Sequence, residues 1–98
     1  YDVGRMIQNG GAIVCNNCDI IGYYTVNSGT LTANSCNVSG NGEFVVAGDA
    51  VVEIEMELFI DRGYAEGIRF VGKVIQNGGT VIVGGRINNH GEYIRVCN

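Results

Sequence analysis

The 98-residue sequence contains no proline and no tryptophan, and only 16% of its residues are charged. Without proline, other residues must form the turns, and 16 glycines together with many asparagines are available for this. A soluble domain ordinarily carries about 25% charged residues. We therefore expect part of the surface to be covered by something other than water, such as a neighbouring copy of the chain.

Positive charge is also scarce, because six basic residues stand against ten acidic ones and the net charge is −4. Nucleic-acid binding needs a concentration of basic side chains that neutralises phosphates, and the bases here are dispersed along the chain. The apolar runs are a few residues long, far below the ~20 that a membrane-spanning helix needs. The sequence therefore predicts neither nucleic-acid binding nor a membrane span.

Residues suited to catalysis are equally few. The single histidine, His90, lies in the turn-like segment "NNHG", where a solvated side chain is the ordinary interpretation. No G-x-S-x-G motif is present. Glu53, Glu55 and Glu57 alternate along one predicted strand, which is typical of a solvated ladder rather than of a calcium or acid–base site. We predict that the protein is not an enzyme and uses no cofactor or metal.

Four cysteines give the clearest indication of the cellular environment. Cys15, Cys18, Cys36 and Cys97 form an even set in a small domain, which in a secreted protein is typical of two disulfides. At a strand end the side chains of Cys15 and Cys18 would point apart, so we expect each to bond to one of Cys36 and Cys97. The alternatives are free structural thiols and a zinc site, for which "CNNC" supplies half of the ligands.

A second feature of the sequence also bears on the cellular environment. Asn37-Val38-Ser39 matches the acceptor pattern for N-glycosylation, which makes Asn37 a candidate for modification. Together with disulfide-forming cysteines, this pattern favours an extracellular or cell-surface location.

Asn-Gly pairs between apolar stretches are the strongest structural signal in the sequence. Asn-Gly tolerates the positive φ that a type I′ hairpin turn requires. We predict hairpin turns at Asn9, Gly10, Asn41, Gly42, Asn77 and Gly78, with positive φ at Gly10 and Gly78. The central run "VVEIEMELFI" alternates with period two, which indicates a half-buried strand with Val52, Ile54, Met56 and Leu58 on one side.

Nearly the same phrase occurs twice, as "VGRMIQNGG" at 3–11 and "VGKVIQNGG" at 71–79, followed loosely by "GYYTV" and "GEYIRV". The copies are either similar hairpins in two sheets of a sandwich or corresponding coils of a β-solenoid. Solenoid coils should recur at one fixed period, and the middle of the chain breaks it. We therefore predict a single all-β domain over 1–98, a small antiparallel β-sandwich, jelly roll or barrel built from Asn-Gly hairpins, with a short β-solenoid as the alternative.

The segments "AGDAVVEIEMELFI", "EGIRF" and "GGTVIVGG" resemble the closing strands of the C-terminal barrel domain of elongation factor Tu. The first half of the chain, which holds three of the four cysteines, departs from that pattern. Because the chain also has no GxxxxGK[ST] loop, the resemblance implies similar strands and no nucleotide function.

These features favour a structural protein outside the cell, such as a subunit of a filament, surface appendage, surface layer or capsid-like assembly. We expect copies to associate through β-strand edges into a homo-oligomer or polymer, because "GAIV", "TVIVGG" and "DIIGYYTV" contain no proline and almost none of the charge that normally guards an edge. The alternative is a carbohydrate-binding or adhesive β-sandwich module. Its binding surface would use the tyrosines, notably Tyr23, Tyr24, Tyr64 and Tyr93.

Overall fold

Neighbouring strands run parallel throughout the main sheet, which makes the fold a β-solenoid and not the antiparallel sandwich or barrel that we predicted. The computed structural model describes residues 5–65 and 68–95. The strands are β1 (Arg5–Ile20), β2 (Tyr23–Val38), β3 (Glu43–Val46), β4 (Val51–Ile60), β5 (Arg62–Ala65), β6 (Ile68–Val71), β7 (Lys73–Gln76), β8 (Thr80–Val83), β9 (Arg86–Asn89) and β10 (Glu92–Arg95). The prediction of an all-β chain is confirmed.

The chain winds as a stack of coils, and its strand segments fall into three ladders that form the sides of the solenoid. Ladder A contains residues 5–8, residues 23–26, β3, β7 and β10. Ladder B contains residues 12–15, 30–33, 51–54 and β8. Ladder C contains residues 17–20, 35–38, 57–60 and β9. Each of the first four coils passes from ladder A to ladder B to ladder C, and β1 forms all three sides of the first coil.

An inserted hairpin explains why the period looks broken in the sequence. The register partners along ladder A are Arg5, Tyr23, Glu43, Lys73 and Glu92, at intervals of 18, 20, 30 and 19 residues. The long interval contains β5 and β6, which pair antiparallel with each other, outside the coil stack. Without this hairpin, the third coil has the same length as its neighbours.

The register also explains the repeated phrase. Arg5 of the first copy and Lys73 of the second lie in the same column of ladder A, in the first and fourth coils. The two copies are therefore corresponding coils, as the solenoid alternative implied. They are not similar hairpins of a sandwich.

The Asn-Gly pairs that we predicted to form hairpin turns instead form corners, where the chain passes from one side of the solenoid to the next. Asn9-Gly10 and Asn77-Gly78 join ladder A to ladder B, and Asn41-Gly42 lies between ladder C of one coil and ladder A of the next. Gly10 has a φ of 148°, but the positive φ near the other pairs falls on neighbouring residues, Gly79 and Gly40. The prediction for Gly78 was wrong because the chain bends sideways at a corner and does not reverse, so a type I′ turn is not formed.

Inward side chains stack in columns from one coil to the next and form the core. Sixteen apolar residues of the described chain are buried, from Cys18 in the first coil to Val74 in the fourth. Tyr24 and Phe44, neighbours in one column of ladder A, pack edge to face with ring centroids 5.5 Å apart. Met56, which we expected on the buried side of β4, is 63% exposed because the corner between ladders B and C falls at Glu55 and Met56.

We predict that Gly79→Ala destabilises the protein more than Gly11→Ala, although both glycines occupy equivalent corners with φ near +70°. The left-handed backbone costs either alanine about 1–2 kcal/mol. A Cβ at Gly79 would also lie 2.4 Å from the Ala50 carbonyl oxygen of the preceding coil, whereas a Cβ at Gly11 meets no described atom within 4 Å. We expect this overlap to cost Gly79→Ala a further ~1–3 kcal/mol.

Urea unfolding of the two variants measures the difference, with the unmodified chain as reference. Equal losses at the two positions would contradict the stacking of the fourth coil on the third.

Candidate functional site: the two open ends of the solenoid

The first coil is paired on one side only, and in the described chain this leaves the core partly open over ladders A and B, whereas Cys18 and Ile20 in ladder C are 2% and 0% exposed. β1 pairs with β2 and with no other described strand. Met6 and Ile13 are only partly buried, while their register partners in the second coil, Tyr24 and Leu31, are each 1% exposed. A cavity of about 390 Å³ lies at this end and is lined by side chains of the first two coils, mainly apolar and sulfur-containing ones.

The C-terminal end is open in the same way. β8, β9 and β10 each pair with one described strand. Ile87 continues the inward column of Cys18, Cys36 and Leu58, all of which are at most 2% exposed, yet Ile87 itself is 53% exposed. A cavity of about 590 Å³, lined in part by Ile87 and Tyr93, opens here. An interior position is thus left uncovered at this end.

A glutamine inside the first coil ties its corner to the second coil. Gln8 is 5% exposed, and its Nε2 donates to the carbonyl oxygens of Thr30 at 2.9 Å and Gly10 at 3.2 Å. Its Oε1 accepts a hydrogen bond from the Tyr24 hydroxyl at 3.2 Å. Because a buried amide must be hydrogen-bonded on both sides, the side chain holds corner, first coil and second coil together.

The second copy of the phrase builds the same arrangement at the other end. Gln76 Nε2 donates to the Gly79 carbonyl oxygen at 3.3 Å, and Gln76 Oε1 accepts from the Tyr93 hydroxyl at 2.8 Å. We call each set a glutamine–tyrosine bracket: Gln8 with Tyr24, and Gln76 with Tyr93. The sequence prediction missed the role of these residues. The sequence signal that could have found them is the loose likeness between "GYYTV" and "GEYIRV" beyond the repeated phrase, since these segments contain Tyr24 and Tyr93.

Three thiols gather inside the first two coils, and we call Cys15, Cys18 and Cys36 the thiol cluster. Cys18 and Cys36 are direct register partners on β1 and β2 and are 2% and 1% exposed. Cys15 precedes the corner at Asn16 and also packs against the core. The expectation that strand geometry separates Cys15 from Cys18 was wrong, because the corner between them changes the alternation and turns both inward.

The oxidation state that we predicted for these cysteines is a separate question. Cys15, Cys18 and Cys36 are free thiols in the structure, and Cys97 lies outside the described residues. The disulfides therefore stay a prediction. Among the described residues, no group of three or more histidine, cysteine or acidic side chains is arranged to hold a metal ion.

Hydrogen bonding within the thiol cluster makes its members unequal. The hydrogen bond with Cys36 lowers the pKa of Cys18 from 9.0 to about 7, against the opposing effect of burial, and Cys15 adds a second hydrogen bond. The bond with Cys18 and burial raise the pKa of Cys36 well above 9.0, and burial raises the pKa of Cys15. At neutral pH, Cys18 therefore carries most of the thiolate, and its two neighbours stay protonated as donors.

Two further candidates lie away from both cavities. Asn37 projects from ladder C and is half-buried, with its Oδ1 buried and without a hydrogen-bond partner in the described chain. Glycosylation at Asn37 stays a prediction. His90 follows ladder C of the fourth coil, where its exposed ring lies 5.7 Å from the Phe59 ring. The structure thus places His90 of the fourth coil beside an aromatic ring. It does not bring His90 together with the thiol cluster, which lies in the first two coils.

Tyr23, Tyr24 and Tyr93 do not share one surface. Tyr24 and Tyr93 point inward and belong to the glutamine–tyrosine brackets. Tyr23 points outward from ladder A and is 53% exposed. Tyr64 lies in β5, in the inserted hairpin.

Comparisons of the chain with protein-family models, with curated proteins and with solved structures found no match. The described residues form no helix of the length and apolar character that crossing a membrane requires. The fold, the open ends and the thiol cluster are therefore the observations on which a function has to be argued.

We predict that Gln8→Leu destabilises the protein more than Gln76→Leu. Leucine at position 8 removes the donor to the Thr30 carbonyl oxygen and the acceptor of the buried Tyr24 hydroxyl. Unsatisfied buried groups cost about 1–3 kcal/mol each. Gln76 is only partly buried, so water can replace the lost bonds. Urea midpoints of the two variants give the comparison, and a larger loss at Gln76 would contradict the role given to the first bracket.

We also predict that Cys36→Ala raises the pKa of Cys18 from about 7 towards 9.0, because it removes the hydrogen bond that lowers the pKa most. The ultraviolet absorbance of the thiolate, titrated against pH in a Cys97→Ser background, reports this shift. Cys15→Ala is the matched control and should raise the pKa less. An unchanged titration in Cys36→Ala would contradict the hydrogen-bond assignment.

Proposed function

We propose that this protein is an extracellular structural protein whose copies stack end to end through the strand edges of the solenoid. Such a chain is suited to a filament, surface appendage, surface layer or capsid-like assembly. The observation that carries the proposal is the 53% exposure of Ile87 in a column otherwise at most 2% exposed, together with the partial exposure of Met6, Ile13 and Cys15 at the other end.

Unpaired backbone supports association at these ends. The 16 residues of β1 have one edge paired with β2, and their other edge is free of any described strand. Such an edge is a template for a further parallel strand. β8, β9 and β10 offer a second row of edges at the opposite end. A second copy can therefore continue the ladders without changing their direction.

The side chains at the ends fit the same partner. Met6, Ile13 and Cys15 face the N-terminal opening, and Val81 and Ile87 face the C-terminal one. Repeat proteins that stay monomeric cover their last coils with a polar outer face. Apolar residues on both faces instead favour a neighbour of the same kind, since stacking would bury them against each other.

Gly11 provides independent support for a preceding coil. At the equivalent corner glycines Gly29 and Gly79, an added Cβ would lie 2.4 Å from a carbonyl oxygen of the coil before. Gly11 has the same left-handed backbone, at φ +71°, but no described atom lies within 4 Å of the added Cβ. The first coil is thus shaped like a coil that has another on top of it.

Residues 5–7 and 92–95 pair within their own chain, with β2 and β7. This arrangement favours stacking of coils over strand donation, in which a terminal strand would leave its own chain and pair with a neighbouring copy.

The positions of the tyrosines support the structural role over the carbohydrate-binding alternative, which would use tyrosines as a platform. Of Tyr23, Tyr24 and Tyr93, only Tyr23 points outward.

Charge at the end of the solenoid tests the proposal. We expect the unmodified protein to form linear assemblies with rising concentration, as measured by analytical ultracentrifugation and negative-stain electron microscopy. Ile87→Lys should abolish assembly, because it places an ammonium group in the stacking surface without entering the buried core. Ile82→Lys is the matched control, since Ile82 is similarly exposed, at 48%, but points outward from ladder B.

Ile82→Lys should assemble like the unmodified protein, and circular dichroism should show both variants folded. A protein that is monomeric at every concentration would overturn the proposal. So would assembly that survives Ile87→Lys and is lost in Ile82→Lys, because that result would place the contact on the side of the solenoid.

A further inference from the structure

We propose that Cys18 is a site of oxidation by small hydroperoxides and that its oxidation ends in a reversible disulfide with Cys36. This bond would join the first coil to the second. The inference concerns the chemistry inside one chain and does not rest on end-to-end assembly.

The register of β1 and β2 places the two sulfurs for a disulfide. Cys18 and Cys36 are directly opposite each other on neighbouring parallel strands and both point into the core. Neighbouring strands lie about 4.8 Å apart. A disulfide joins residues whose Cα atoms are about 4.4–6.8 Å apart. No strand has to shift its register for the bond to form.

The opening at the N-terminal end gives a small oxidant access to one of these sulfurs. Cys18 lines the cavity of about 390 Å³ together with Met6 and Cys15. Cys36 lies one coil deeper and does not line this cavity. A hydroperoxide that enters from the end therefore reaches Cys15 and Cys18 before Cys36.

The hydrogen bonds of the cluster assign the roles of the two thiols. Cys18 is held as the attacking sulfur because its thiolate accepts hydrogen bonds from the thiols of Cys36 and Cys15. Cys36 stays protonated in the same contact, so it is positioned to react after Cys18 has been oxidised. The thiolate is the nucleophilic form of cysteine, which makes Cys18 the first residue to react.

The chemical steps balance with a hydroperoxide as the only oxidant. The Cys18 thiolate attacks the terminal oxygen of ROOH, the O–O bond breaks, and the products are Cys18 sulfenic acid and an alcohol or water after proton uptake. The Cys36 sulfur then attacks Cys18 Sγ, the S–O bond breaks, and water leaves with the thiol proton. The two cysteines lose two electrons in total and the peroxide gains them. Two equivalents of a small thiol restore both cysteine thiols by exchange through a mixed disulfide, and the small thiol leaves as its own disulfide.

Hydrogen peroxide is the probe that tests this inference. The reduced protein is treated with a stoichiometric amount, the remaining thiols are alkylated, and the linked peptides are identified by mass spectrometry. We expect a Cys18–Cys36 link, loss of the link in Cys18→Ser, and a dimedone-trapped sulfenic acid at Cys18 in Cys36→Ser. Cys97→Ser is the matched control and should still form the link.

The same treatment in Ile87→Lys keeps the result independent of assembly, and the link should form there as well. Hydrogen exchange provides a second readout: oxidation should slow exchange in β1, because the bond ties the uncovered coil to the next one. A link between Cys15 and Cys18, a link through Cys97, or first oxidation at Cys36 or Cys15 in a folded protein would each overturn the inference.

Discussion

Every coil of this protein must place its inward side chains directly over those of the next coil, and the rest of the structure depends on that register. Along ladder A, the partners recur from Arg5 to Glu92 without a change in strand direction. An extra residue within a strand would turn its side chains to the wrong face. Extra chain is therefore accommodated only at corners, and the whole β5–β6 hairpin enters at one of them.

Much of this architecture could be predicted from the sequence, but the direction of the strands could not. Alternating apolar residues and Asn-Gly pairs show strands and sharp bends, and the repeated phrase shows corresponding units. The same Asn-Gly pair serves a hairpin or a corner, because glycine permits both backbones. The inserted hairpin hid the period of the coils, which was the one observation that separates a solenoid from a sandwich.

The candidate site was less predictable, because corners change which residues face inward. Cys15 and Cys18 would diverge in a straight strand, yet the corner after Cys15 brings both to the interior. Met56 fits the alternation of its neighbours and is nevertheless exposed at a corner. Each glutamine–tyrosine bracket joins two residues on neighbouring coils, and these residues are 16 or 17 positions apart in the sequence. Local patterns carry no information about such distant partners.

The two ends of the solenoid share a construction and differ in chemistry. Both carry a glutamine–tyrosine bracket, which satisfies the polar groups of the corner from within and so leaves apolar residues to face the opening. Among the described residues, sulfur is added at the N-terminal end, where Cys15 and Cys18 lie beside Met6. A coil that is paired on one side only is thus the one for which we propose a covalent bond to its neighbour. A neighbouring copy stacked on this coil would close the cavity, so assembly and oxidation would compete for the same end of the molecule.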